Sequence, residues 1–461
     1  MTDPYLAFLE SKRLVDPPTG IDPDTVTLPD VLFPFQHDLV RWALMRGRAA
    51  IFAGTGLGKS LMELSWGNAV AAHTAKPVLL LAPLAVAAQM VREGEKFGVP
   101  CRHVAKQSEV ADGVNITNYQ KLQHFDVSAF GGVILDESSI LKNTDGKYRT
   151  DLIRQCSSVP FRLAATATPA PNDHMELGNH AEFLGVMSQT DMLATFFTHD
   201  GGDTAKWVLK GHAQDVFWRW MASWAVMLRM PSDLGYDDTG YDLPPLTYHM
   251  HEVHADPVAM EGELFSSVTV ATSLKERQAA KRESIGQRVA KAANLVPQGK
   301  PCVIWCHLNG EAEALAAAVP GAINLHGSLK DEEKERIMLA FTSGEIDCLI
   351  TKPSIASMGL NWQCCHETIF VGLNDSWEQL YQAIRRFWRF GQTQPVNVHI
   401  ISAVTEGATL ANIQRKDAEA EKMACAMVAH TKDLTSRAVR GSTRDVAEYN
   451  PSMKMEVPSW L

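Results

Sequence analysis

Three short segments of this chain carry residue types that do phosphate chemistry, and they occur in a telling order. The first is AGTGLGKS at 53–60. Small residues let the backbone curl until successive N–H groups face one centre, where phosphate oxygens can sit. Gly54, Thr55, Gly56 and Gly58 shape that cradle, Lys59 reaches the β- and γ-phosphates, and Ser60 offers a hydroxyl to Mg²⁺. Ala53 stands where such loops usually begin with glycine, and it is small enough for the same turn. The second segment, VILDES at 133–138, ends an apolar run with Asp136 and Glu137. One carboxylate there can hold Mg²⁺ through water while its neighbour orients and deprotonates an attacking water. The third, QAIRRFWRFGQ at 382–392, places Arg386 and Arg389 on one face of a helix expected to begin near Trp377, with Arg385 turned away. Delivered from a second lobe, such cations stabilise charge on a γ-phosphate and are worth about 10³–10⁵ in rate. Each segment has a plainer reading alone: a glycine-rich turn, a strand-end acidic pair, a basic helix face. Together they point to nucleoside triphosphate hydrolysis at a site split between two lobes.

The elements that must position these residues are legible as apolar runs. AAIFA 49–53, VLLLA 78–82, VNIT 114–117, GVILD 132–136 and FRLAAT 161–166 have the composition of strands buried on both faces. Helical patterns at 60–72 and 85–97 fall between them, as a parallel sheet requires. The alternation resumes with PCVIWC 301–306, AINLHG 322–327, DCLIT 347–351, ETIFVG 367–372 and VNVHII 396–401. The section between, 174–245, reads as helical. Within it Phe217, Trp220, Met221 and Trp224 share a helix face, either as a docking seam or as a platform for stacked bases. The Pro-, Gly- and Asp-rich stretch 231–246 reads as a linker.

Composition narrows the class. The chain has 461 residues, enough for two or three domains, with 46% apolar and 21% charged residues, as in globular proteins. No apolar stretch is long enough to span a bilayer, and MTDPYLAFLESKR lacks the pattern of a secretion signal. Eight cysteines without a CxxC pair read as free core thiols. The net charge of −10 argues against nucleic-acid binding by total charge but leaves room for a local basic groove. One candidate is the run Lys275, Arg277, Lys281, Arg282, Arg288 and Lys291; its plainer reading is a solvated helix face.

From about 33 to 402 the chain resembles the superfamily II helicases, and within them the Swi/Snf-like DNA translocases. FPFQHDLVRW at 33–42 resembles the family's adenine-reading entry, which implies that Gln36 contacts the base. LLLAPLAVAAQ 79–89 and ITNYQ 116–120 resemble strand-end motifs that touch the nucleic-acid backbone, implying contacts at Pro83, Thr117 and Asn118. DESSILKN 136–143 resembles the acidic box, and ATATPAPN 165–172 the coupling motif, with Thr166 and Thr168 in its threonine places. VMLRMPSDLG followed by LPPL resembles the arginine-bearing entry to the linker. NLHGSL 324–329 and ITKPSIASMGLNW 350–362 resemble second-lobe motifs, implying nucleic-acid contacts at His326 and Thr351 and a nucleotide contact at Gly359. QAIRRFWRFGQ is the most specific string and adds Gln382 to the catalytic set with Glu137, Arg386 and Arg389. The chain departs from the pattern at Ser139, where the acidic box often has histidine, at Lys352, Pro353 and Ser354, and at Trp388.

The expected fold is α/β: two tandem RecA-like parallel-sheet lobes with a helical insertion in the first. The expected boundaries are a loosely packed tail 1–30, a first lobe 31–173, an insertion and linker 174–245, a second lobe 246–440 and a tail 441–461. The resemblance implies an ATP- and Mg²⁺-dependent DNA translocase or helicase of the compact type found in bacteria and bacteriophages, hence cytoplasmic and without a membrane partner. A nuclease, methyltransferase or replication protein is a natural associate. Two other functions share these residues: an RNA helicase, and an ATP-clamped scaffold that recruits a processing partner without DNA-stimulated turnover.

Overall fold

The computed structural model of the chain describes residues 16–142, 147–170, 174–200, 203–253, 284–356, 361–372, 377–403 and 407–440. Its helices and strands assemble around two parallel sheets. The first contains β1 (Arg48–Ala53), β2 (Val78–Ala82), β3 (Cys101–His103), β4 (Val114–Asn118), β5 (Gly132–Asp136), β6 (Phe161–Thr166) and β9 (Ala225–Leu228). Their order is β3-β4-β2-β5-β6-β1-β9, and every pairing is parallel. All residues of β2, β4, β5 and β6 are buried, which is why these segments read as unbroken apolar runs. On one face Leu80, Ile134 and Leu163 share a core with helices α1 (Pro34–Arg46), α2 (Lys59–Thr74) and α3 (Leu84–Phe97). On the other, Leu79, Leu81, Val133 and Leu135 meet the insertion.

α4 (Lys147–Cys156) leads into β6, and the insertion that follows consists of α5 (Leu177–Leu184), α6 (Gln189–Phe196), an antiparallel hairpin of β7 (Phe197–Asp200) and β8 (Asp203–Leu209), and α7 (Gln214–Ala222). The section that reads as helical thus carries a hairpin as well. The run DTAKWVL favours a strand through Thr, Trp and Val, and the turn signal DGGD precedes it. β9 corrects the boundary as well, because AVML pairs with β1 and belongs to the first lobe's sheet. Phe217, Trp220, Met221 and Trp224 are all buried, so this face is a docking seam and has no surface on which a base could stack. The N-terminal boundary also moves. From Asp16 onward the chain is packed, with Asp16 paired to Arg46 at 3.3 Å and Arg48 at 3.8 Å and Ile21, Leu28 and Leu32 buried.

The second sheet runs β10-β15-β14-β11-β13-β12, all parallel. Its strands are β10 (Leu246–Val253), β11 (Cys302–Trp305), β12 (Ile323–Leu325), β13 (Cys348–Thr351), β14 (Glu367–Val371) and β15 (Val396–Ala403). Around it lie α8 (Ile285–Leu295), α9 (Asn309–Ala318), α10 (Asp331–Ser343), α11 (Pro353–Ala356) and α12 (Trp377–Ile384). A long final helix, α13 (Gly407–Arg440), returns to the first lobe. There Met427 and Val428 join the core of Trp220 and Trp224, Val439 joins the core of Leu39 and Ile51, and the His430 ring stacks on Trp218 at 5.3 Å between centroids. Glu421 pairs with Arg229, the arginine of the linker entry. All eight cysteines are free thiols. Among the described residues no helix is long and apolar enough to cross a membrane.

Candidate nucleotide and nucleic-acid site

The ends of β1 and β5 and the segment after α12 meet in one cleft between the lobes, around a cavity of about 510 Å³. Gly56, Gly58, Lys59, Ser60, Asp136 and Glu137 line it from the first lobe, and Gln382, Arg386 and Arg389 from the second. The loop glycines are there for space as well as conformation. Gly56 has φ +93° and Gly58 φ +76°; a Cβ on Gly58 would lie 2.2 Å from Gln36 Nε2, and one on Gly56 2.8 Å from the Phe390 backbone nitrogen. Gln36 holds the loop from behind. Its Nε2 donates to Leu57 O at 2.9 Å and its Oε1 accepts from Phe33 N–H at 3.0 Å. One amide hydrogen and one lone pair remain on Gln36 for a base.

Lys59 Nζ donates to Ala53 O at 2.9 Å and to Gly54 O at 3.4 Å. Removal from water pulls its ammonium below the usual lysine range, against the attraction of Glu137, Asp136 and Glu63. Asp136 is buried, and burial followed by the charge of Glu137 raises its carboxyl above the usual range. Glu63 is a member of this cluster that sequence reasoning missed. It lies one turn after Lys59 on α2, fully buried, with its carboxyl against that of Asp136. Burial and the neighbouring Asp136 raise it as well. The signal in the sequence was an acid inside the otherwise apolar helix face of LMELSW.

Glu137 is held by its neighbours. Ser139 Oγ donates to Glu137 Oε1 at 3.0 Å, and Thr166 Oγ1 donates to the same oxygen at 2.7 Å. Thr168 N–H in turn donates to Thr166 Oγ1 at 3.1 Å, so the coupling motif and the acidic box are hydrogen-bonded to each other. The Glu137 backbone lies at φ +53°, in the left-handed region. Behind it, Ser138 Oγ and His180 Nε2 of α5 are 3.1 Å apart. Burial pushes His180 down to about 4, keeping the imidazole neutral. A histidine is thus adjacent to the acidic box in space although Ser139 replaces it in sequence.

The arginines separate as their spacing predicts, but α12 ends at Ile384 and they occupy the turns that follow. Arg386 is buried, with Nη2 at 3.4 Å from Gln382 Oε1. Burial, then repulsion from Arg389, pushes its guanidinium down to about 9, against the attraction of Glu137 and Asp136. Burial also lowers Arg389, and Glu93 of α3 opposes this. Arg385 instead lies in a second cavity, of about 340 Å³, between the rings of Tyr381 at 5.0 Å and Trp388 at 4.4 Å. Trp388, at a departure from the family pattern, ties this turn to the linker by donating Nε1–H to Pro244 O at 2.6 Å.

The nucleic-acid expectations fare unevenly. Thr117, Asn118 and Thr351 are buried. Asn118 caps the following turn by accepting from Lys121 N–H at 3.0 Å, and Thr351 Oγ1 donates to Leu325 O at 3.1 Å. All three therefore sit beneath the surface at the ends of their strands. Pro83 begins α3 half-buried, and His326 is exposed beside Ser328. Arg288 leaves the proposed basic groove altogether: it is fully buried and paired with Glu311 at 2.6 Å. Lys275, Arg277, Lys281, Arg282 and Gly359 lie outside the described residues.

A nucleoside triphosphate with Mg²⁺ fits these groups. The loop residues Gly56, Gly58 and Lys59 line one cavity together with Ser60 and Asp136, and the two glycines let Gln36 and Phe390 pack directly against the loop. Mg²⁺ characteristically takes one or two protein ligands and completes its shell with phosphate oxygens and water. Among the described residues there is no all-protein metal cage.

Residues 287–391 match the family model of the helicase conserved C-terminal domain. Among solved structures, the chain is similar to Saccharomyces cerevisiae Dbp5 bound to RNA and ADP BeF3, at 14% identity and a TM-score of 0.53, over 86% of this chain and 93% of that one. It is also similar to the SWI2/SNF2 ATPase core of Sulfolobus solfataricus in complex with dsDNA, at 16% identity and a TM-score of 0.40, over 89% and 97%. No curated protein matches the sequence. Residues 287–391 therefore carry a match to the helicase conserved C-terminal domain, and the two lobes share the fold of Dbp5.

Proposed function

We propose that the chain hydrolyses ATP in the interlobe cleft and uses the cycle to move along or remodel DNA, as a compact member of the Swi/Snf-like branch. The observation that carries this reading is that the phosphate loop and acidic pair of one lobe and Arg386 and Arg389 of the other line a single cavity. Gln36 orients the base, and the loop N–H groups and Lys59 bind the phosphates. Lys59 exchanges its loop carbonyls for phosphate oxygens. Ser60 and Asp136 would hold Mg²⁺, which when bound would neutralise charge on the phosphates. Glu137 takes the proton of the attacking water through Oε2, the oxygen that Ser139 and Thr166 leave free. Arg386 and Arg389 stabilise the charge that develops as the bond breaks, with Gln382 orienting Arg386.

Because half of the site sits on each lobe, nucleotide binding favours closure and product release favours opening. Thr166 and Thr168 carry that change from Glu137 toward the nucleic-acid surface, where Pro83 and His326 stand near the strand ends. DNA is preferred over RNA on the motif resemblance of the 382–392 segment. The test is ATP turnover against duplex, single-stranded and branched DNA and RNA. Stimulation by DNA above RNA supports the reading; stimulation by RNA alone makes the chain an RNA helicase. Tight ATP binding with partner capture and no stimulated turnover makes it a clamp.

A further inference from the structure

We propose that Ser139 is a positioning residue for the catalytic base, selecting which oxygen of Glu137 meets the attacking water; this rests on the functional reading above. The acidic box departs from the family pattern at this residue, and the structure gives the substituted hydroxyl a specific partner. Ser139 is buried, and its hydroxyl donates to Glu137 Oε1 at 3.0 Å. Thr166 of β6 donates to the same oxygen at 2.7 Å. The Thr166 hydroxyl accepts from Thr168 N–H, so its own hydrogen is committed to Glu137. Two donors on one carboxylate oxygen fix the plane and rotation of the group, and they leave Oε2 as the oxygen able to take a proton.

The backbone explains why a residue two positions on can do this. Glu137 sits at φ +53°, a conformation that a side-chain-bearing residue holds only where its surroundings impose it. That left-handed residue turns the chain directly from β5 into the short helix Ser138–Lys142, and Ile140 N–H closes the turn on Glu137 O at 3.3 Å. Ser139 thereby comes back beside the Glu137 side chain.

The test is a double-mutant cycle on the full chain. Ser139→Ala should lower kcat by about ten- to hundredfold, the value of one hydrogen bond to a charged group, with affinity for a non-hydrolysable ATP analogue unchanged. In the Glu137→Gln background, where no base remains to be positioned, Ser139→Ala should leave the residual single-turnover rate as it is. A loss of the same factor in both backgrounds overturns the proposal, because it shows an effect that does not pass through Glu137. So does an unchanged kcat for Ser139→Ala. Should Ser139→Ala fail to fold, Ser139→Cys, of similar volume and a poor donor, is read by the same criteria. A wild-type chain that turns over no ATP refutes the functional reading itself. A wild-type chain that does, with Ser139→Ala equal to it, overturns the role of Ser139 alone.

Discussion

Acidification should weaken this protein through one buried imidazole, and the size of the effect follows from its surroundings. His180 is fully buried between Ser138 of the acidic box and Phe52 of β1, whose ring centroid is 5.1 Å away. Its pKa is about 4 in the folded chain. In the unfolded chain a histidine titrates near 6.5, so between these values the unfolded state takes up a proton that the folded state refuses. The stability due to neutral His180 is therefore complete above about pH 6.5 and is lost as pH falls toward 4. Linkage over that shift gives about 2 kcal/mol lost between roughly pH 7.5 and pH 5, and about 3 kcal/mol when both states are protonated. Other groups titrate in the same range, so the measurement is a difference. Urea unfolding, followed by fluorescence of the buried tryptophans of α7, is compared at the two pH values for wild type and His180→Gln. Wild type should lose about 2 kcal/mol more than the variant. Equal losses within about 0.5 kcal/mol would refute the claim that His180 is held neutral by burial.

Lys59→Ala should weaken ATP binding, whereas Glu137→Gln should bind ATP and stall its hydrolysis, since an amide accepts no proton from water; undiminished turnover in both would remove the site assignment. Arg386→Ala and Arg389→Ala should each cost roughly 10³-fold or more in DNA-stimulated turnover with much smaller effects on ATP affinity. Arg389→Lys should also be poor, because an ammonium lacks the planar fork of donors. Arg385→Ala removes a cation stacked on Tyr381 and Trp388, worth about 0.5–1 kcal/mol at an exposed site, and should leave turnover nearly intact; a crippled Arg385 variant would reverse the assignment of the two cavities. DNA affinity should fall log-linearly with salt, with a slope of about −0.9 per phosphate contact on duplex or about −0.7 on single strands. A flat titration would contradict a groove that tracks phosphates.

The strands were legible in the sequence because they are buried on both faces. AAIFA and GVILD admit no periodicity other than burial; the end of the first opens the loop that carries Lys59, and the second ends in Asp136. Arg386 and Arg389 were legible by spacing alone, since even past the end of α12 the chain keeps turning at nearly the helical rate. What escaped was long-range. AVML at 225–228 is too short to separate from a buried helix turn until β1 is seen beside it. Arg288 in a basic run looks like surface until Glu311, brought in from the next helix, neutralises it in the core. Glu63 and His180 join the site because α2 packs against β5 and α5 against β1; the acid within LMELSW marks Glu63 as unusual, but its partners come from this packing. Thr117 and Thr351 were placed at the right strand ends, but which way a strand-end side chain points depends on the neighbour across the sheet.

The return of α13 to the first lobe bears on how the molecule is made. Met427, Val428 and Val439 complete cores whose other buried members lie between Ile21 and Tyr241, yet the ribosome makes them only after the whole second sheet. Until then Trp218 lacks its stacked partner, and the surface beneath α13 stays wet. The first lobe must therefore wait, incompletely sealed, for the second, although its sheet strands are all synthesised before residue 229. This order of synthesis has the earlier lobe finish last. It also makes the interval before α13 docks the period when the nascent chain most needs protection from aggregation.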